Sequence, residues 1–397
     1  MPVNTERLSQ VGPLDPRTGF PMWYEDATGT RLELGWQTND PLAPVVIDPA
    51  ESGILRGVPD FPGESFYFSA ETKIPLGGGD RKAFAQVILA LEATFATGHV
   101  EDGQQIVFGR TRFRVRGGRA HSTYTLTHPY GTVEVTTDDR GRASDTQDIG
   151  VAPLSFADAL GGRIAPFLRW TPDPTLPEGY IGDGTTEHTI TGSPFNTDFA
   201  LVEGPDAGTG GAARDPNDPG NPNKAYTDRF VVQGRLATLH GAEITRAVYH
   251  RAADGASTVE VFARSAPAQQ LGLSLDGQPA TPLEGGNGPR YFARIPVGSL
   301  LPTRLTVTNL TDAVALPVTV DVTDAVEITQ ADYDSTAQTL TVGAASSDRQ
   351  GPATLTVTDG DEVLGPPGTF SLDAPPAAVT VRSSAGANTT TNVRVNA

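Results

Sequence analysis

Cysteine is missing from all 397 residues, which excludes disulfide frameworks, thiolate zinc sites and thiol nucleophiles together. Lysine is nearly missing too. Lys73, Lys82 and Lys224 are the only three among 29 basic residues, and arginine supplies the rest. No apolar run reaches the roughly 18 residues that a membrane-crossing helix needs. The opening MPVNTERLSQVG has no basic stretch leading into an apolar core, so no signal peptide is read there. The expectation is an exported protein in mature form carrying an added methionine. Gly-x-Ser-x-Gly, Ser-x-x-Lys and His-Glu-x-x-His patterns are all lacking, and the six histidines (His99, His121, His128, His188, His240, His250) are scattered.

What is present points to β structure. The chain carries 44 glycines and 33 prolines, which helix interiors tolerate poorly and turns use freely. The formal charge is −18. Such a surface repels phosphate backbones and argues against nucleic acid as a partner, while keeping the protein soluble.

The C-terminal third repeats itself. Ile244 and Tyr249 recur as Ile328 and Tyr333, Val259-Glu-Val261 as Leu340-Thr-Val342, and Leu273-Ser-Leu275 as Leu355-Thr-Val357. Short alternating runs separated by Gly, Asp and Pro turns predict two tandem Ig-like β-sandwiches, at 241–325 and 326–397.

Residues 1–240 predict a separate N-terminal β-sandwich, jelly-roll-like, with irregular insertions. Trp23–Asp26 and Thr30–Leu34 read as a hairpin, Ser65–Thr72 as a strand, and Ile106–Val115 as a strand with strict alternation from Arg110. In 83–96 the apolar residues fall at helical spacing, but the run lies between strands in a turn-rich chain, and a strand is favoured. A long low-complexity loop is expected over 204–227, between two strands that complete the domain.

Four candidate sites follow. Arg110, Arg112, Arg114 and Arg116 share one face of a strand and could grip an anionic polymer. The plain alternative pairs them with carboxylates such as Glu71, Glu92 or Glu134. Trp170, in Arg-Trp-Thr-Pro-Asp-Pro, is the best candidate for an exposed sugar-stacking platform, with other tryptophans as core plugs. Asp215, Asn217, Asp218 and Asn221 bring hard oxygens to short spacing around a glycine, as calcium loops do, although prolines intervene and no closing glutamate follows. Asp321 and Asp324 lie at the junction of the repeats, a second place for Ca2+. Finally, His128-Pro-Tyr-Gly131 reads as a hairpin corner and not as a catalytic cluster, because Pro and Gly have the conformations that a tight turn requires.

The series WYEDATGTRLEL, FPGESFYFSAET, VILALEATF, VFGRTRFRV and YTLTHPYG resembles a group of exported bacterial β-sandwich proteins from GC-rich genomes with Ig-like C-terminal modules. The resemblance spans roughly residues 11–240, the repeats matching more loosely. It implies export and this domain plan. No activity is assigned to that group, so it implies nothing about mechanism. Its members often carry cysteines just after the "LEL" strand; this chain has Gly35 there, so no such disulfide is shared.

The reading is an extracellular or cell-surface structural or adhesive binding protein of a bacterium, non-enzymatic. Its expected partners are a surface polymer or glycan, or copies of itself in a fibre or surface layer through sheet edges. One alternative is a polysaccharide-active enzyme with accessory Ig-like modules, using carboxylates such as Glu25, Asp26, Glu33 or Glu92. Another is a phage virion protein.

Overall fold

The computed structural model describes residues 7–37, 39–46, 48–77, 82–171, 176–210, 213–275, 280–285, 287–298, 300–351 and 353–396. The described residues are all-β apart from one short 3-10 turn at Phe156–Gly161, and the chain divides into two compact units, Met1–His240 and Gly241–Ala397.

The first unit is built on three sheets. One comprises β1 (Leu8–Val11), β2 (Trp23–Asp26), β3 (Arg31–Glu33) and β18 (Arg235–Leu236). The largest has eight strands. Its main path runs β12 (Ala143–Ile149), β9 (Gln105–Arg116), β8 (Phe84–Phe95), β7 (Glu64–Pro75), β17 (Arg229–Gln233), β14 (Glu187–Thr191) and β13 (Arg169–Trp170), with β4 (Val45–Val46) beside β7. The third has the order β11 (Gly131–Thr136), β10 (Thr123–His128), β15 (Ala200–Glu203) and β16 (Lys224–Thr227). A small hairpin, β5 (Gly53–Leu55) with β6 (Val58–Phe61), completes the set.

One core serves these sheets. Phe20, Phe61, Phe95 and Phe156 pack ring to ring, and Tyr24 meets Tyr67 edge to face at 4.9 Å. Each such ring, once buried, contributes about 1.5–3 kcal/mol from area alone. The segment 83–96 is the strand β8. Ala85, Val87, Leu89, Leu91, Ala93 and Phe95 alternate into the core, and β8 pairs with β9 along its whole length and with β7 over Phe84–Ala93. Helical spacing arises there because the outward positions, among them Ile88, are also partly apolar, as befits the centre of a wide sheet.

The expected loop over 204–227 needs correction at its end. Lys224–Thr227 is not loop but the strand β16, paired with β15 from Ala200↔Thr227 to Glu203↔Lys224.

The second unit holds two sandwiches, each of two four-stranded sheets around its own core. The repeat is exact in register: Glu243–Arg251 and Val326–Asp334 each carry a β-bulge at the same place, between Ile244 and Arg246 and between Ile328 and Gln330. The segment joining the sandwiches is tied down. Asp324 is fully buried and accepts from Ser346 Oγ, Ser383 Oγ and the Ala387 amide. Asp348 receives Arg251 in a two-pronged contact at 2.5 and 2.8 Å, together with the Tyr249 hydroxyl and the amides of Gln350 and Gly351.

Candidate polyanion-binding face

The strand β9 separates two chemistries by its pleat. Val107, Phe113 and Val115 point into the core, so Arg110, Arg112, Arg114 and Arg116 stand on the opposite face, about 6.7 Å apart along the strand. Their neighbours follow from register. Across β12 lie Asp148, Thr146 and Ser144, opposite Arg110, Arg112 and Arg114. Across β8 lie Ala90, Ile88, Gln86 and Phe84, opposite Arg110, Arg112, Arg114 and Arg116.

Among the described residues, only the first of the four meets a carboxylate. Arg110 reaches Glu92 at 2.7 Å and grips Asp148 with two nitrogens at 2.8 and 2.9 Å, its guanidinium lying 4.8 Å from the Phe108 ring centroid. Arg112 donates to the Thr146 hydroxyl at 3.1 Å. Among the described residues, Arg112, Arg114 and Arg116 have no carboxylate within ion-pair distance. Partial burial, then the like charges of Arg110 and Arg114, lower the pKa of Arg112. Of the carboxylates suggested as partners, Glu92 meets Arg110, whereas Glu71 accepts from the Gln86 amide at 2.6 Å. The pairing alternative therefore covers one arginine and leaves three.

Beside Arg110 is a carboxyl pair that residue spacing did not reveal. Burial first, and then the charge of Glu64, push the pKa of Glu92 up to about 8 against the pull of Arg110. Burial and the neighbouring carboxylate thus favour the protonated form of this pair. The other proposed acids are in structural use. Glu25 meets Arg31. Asp26 takes the amides of Thr28, Thr30 and Phe167. Glu33 holds Arg235 and the Thr238 amide.

Trp170 is not the exposed platform expected of it. It is 5 % exposed, and its ring stacks on His188 at 4.6 Å with an interplanar angle of 19°. Burial decides here because Trp170 lies on β13, whose partner β14 carries the ring that covers it. Trp23 is buried as well, with Arg31 4.9 Å from its ring centroid and its indole N–H donating to the His240 carbonyl.

In the candidate calcium loop the oxygens are directed at the chain itself. Asp215 accepts the Asn217 amide, Asp218 accepts from the Asn221 side chain and lies 3.4 Å from Lys224, and Asn221 accepts the Asn223 amide. At the repeat junction, Asp324 is occupied by hydroxyls and an amide, while Asp321 faces Arg304 at 3.4 Å. Among the described residues, no group of three or more acidic or histidine side chains converges as a cation would need. No helix among them is long and apolar enough to cross a membrane.

No family model matches this sequence, and no curated protein matches it. Solved structures with which it shares some likeness include a bacterial ice-binding adhesin of 1.5 MDa (12 % identity, TM-score 0.16, 73 % of this chain and 91 % of that one). Others are an ectodomain fragment of ICAM-5 (12 %, 0.21, 84 % and 94 %) and the BSP domain of a biofilm associated protein (8 %, 0.20, 100 % and 99 %). Overlap at these scores gives no shared whole-chain arrangement, so the fold stands on the strand pairings above.

Proposed function

We propose that this chain is an extracellular, cell-surface protein with a structural and adhesive role, holding an anionic surface polymer on the outer face of β9. The observation that carries this reading is a row of three arginines, Arg112, Arg114 and Arg116, without carboxylate partners among the described residues of a chain of formal charge −18. Uncompensated like charges on a sheet face repel one another, and the repulsion is relieved when a polyanion lies along the row. Guanidinium groups suit this because they offer planar forks to carboxylates, sulfates and phosphates. The tandem sandwiches of the second unit, tied at Asp324 and Asp348, suit a spacer.

The test is retention on a surface coated with a polyuronate, compared with one coated with a neutral glucan. The intact protein is expected on the first and not on the second. Arg114→Glu, at the centre of the row, is expected to lower retention about tenfold, as loss of one or two charge-assisted contacts would. Equal retention on both surfaces, or an unaffected Arg114→Glu protein, would remove the basis of the reading.

A further inference from the structure

A cleft of about 310 Å³ opens on the other side of β9, between the core-facing side of the large sheet and the hairpin β10–β11. Its floor is apolar, with Val87, Leu89, Phe113 and Leu126. Its two ends differ in charge. A Cβ placed on Gly161 would meet Ile149 at 3.5 Å and Nη1 of Arg7 at 3.7 Å, so Arg7 lies at the Ile149 end, and Arg163 follows two residues after Gly161. Asp145, also in the wall, is four residues back along β12, about 13 Å away. Neither Arg7 nor Arg163 has a carboxylate within ion-pair distance among the described residues.

His128 faces the same cleft. It is 7 % exposed, and its Nδ1 accepts the Tyr130 amide at 3.3 Å. In a neutral ring the proton is then on Nε2, and that N–H has no hydrogen-bond partner among the described residues. Burial lowers the pKa of His128 to about 4, which keeps the ring neutral and its donor in place at physiological pH. The ring is buried, yet this N–H is open to the cleft, where it can donate to a polar group of a ligand.

We propose that this cleft binds a small organic carboxylate with an apolar body, its carboxylate held by Arg7, Arg163 and the Nε2–H of His128 and its body over Phe113 and Leu126. Size follows from volume. An apolar cavity of about 150 Å³ holds benzene, so about 310 Å³ suits roughly twelve non-hydrogen atoms. Arg112 borders this cleft as well, but the grip is assigned to Arg7, Arg163 and His128, so a variant of Arg7 and Arg163 tests it apart from the polymer reading.

4-Phenylbutyrate, 4-phenylbutanol and 4-phenylbutylamine have the same carbon frame and differ in the head group. Calorimetric titration of the full chain at pH 7.5 should give a dissociation constant for the acid at least about tenfold below that of the alcohol, and no heat with the amine. Arg7→Gln with Arg163→Gln should raise the acid's constant about tenfold; neither arginine is buried, and an unchanged circular dichroism spectrum checks the fold. In the intact protein the ring resonances of His128 should shift as the acid is added. Equal binding of acid and alcohol, no binding of the acid at millimolar concentration, an unaltered constant in the double variant, or a stationary His128 signal would each overturn the proposal.

Discussion

At the scale of single residues, burial sets the charge state of two groups in opposite senses, and each gives a pH signature. His128 has its pKa lowered to about 4 by burial. Between its ordinary value near 6.5 and 4 the unfolded chain binds the proton more readily, so stability falls as pH drops through that window. His128→Gln should flatten this part of the melting-temperature profile while leaving the hairpin intact. Glu92, raised to about 8, behaves the other way. From its ordinary value near 4.5 up to 8 the folded chain holds the proton that the unfolded chain has lost, so stability declines as pH rises through that range. Glu92→Gln should remove that decline, and a melting profile from pH 4.5 to 9 with the same slope in both proteins would contradict the assignment. Gly131 needs its freedom for a third reason. Its φ is +143°, which a β-branched residue rarely adopts. Gly131→Val should cost about 1–3 kcal/mol in urea unfolding, although the space beside it is open.

At the scale of elements, what could be read from the chain was what repeats locally. The alternation of Arg110 to Val115 places arginines and core residues on opposite faces whatever the neighbours are, and Pro129 and Gly131 mark a two-residue hairpin loop that the pairing His128↔Gly131 bears out. Partners across strands were not legible. Glu64 and Glu92 are brought together by a β-bulge at Tyr67 in β7, and Asp148 reaches Arg110 only through the register of β12, a separation of 38 residues. Trp170 fell to the same cause, since its cover comes from the next strand. The turn reading of His128-Pro-Tyr-Gly131 was right and incomplete, because a turn residue can also be a cleft wall. The junction of the tandem sandwiches belongs to this scale as well. Asp348 is 8 % exposed and its carboxyl is held well below the usual range, first by the Arg251 hydrogen bonds. Its stabilisation is present above pH 4 and is lost as pH falls below it. Asp348→Ala leaves Arg251 and the Tyr249 hydroxyl without their acceptor and should destabilise the second unit by about 3 kcal/mol. Calorimetry should show that loss in the transition of the 241–397 unit, and a variant melting like the parent would show the contact to be idle.

At the scale of the whole molecule, an acidic chain in which three arginines on one sheet face meet no carboxylate among the described residues concentrates positive charge there, and on the proposed reading a polymer lies along it. General repulsion then discourages other anions from adhering elsewhere. This selectivity is electrostatic and should weaken with salt, since each contact releases a bound counterion. The most direct measurement is the affinity for a soluble polyuronate at several salt concentrations, for the intact chain and for Arg112→Ala/Arg114→Ala/Arg116→Ala. The account predicts a steep loss of affinity with salt in the intact protein, and in the triple variant weak binding with a shallow slope. Matching affinities and slopes in the two proteins would contradict it.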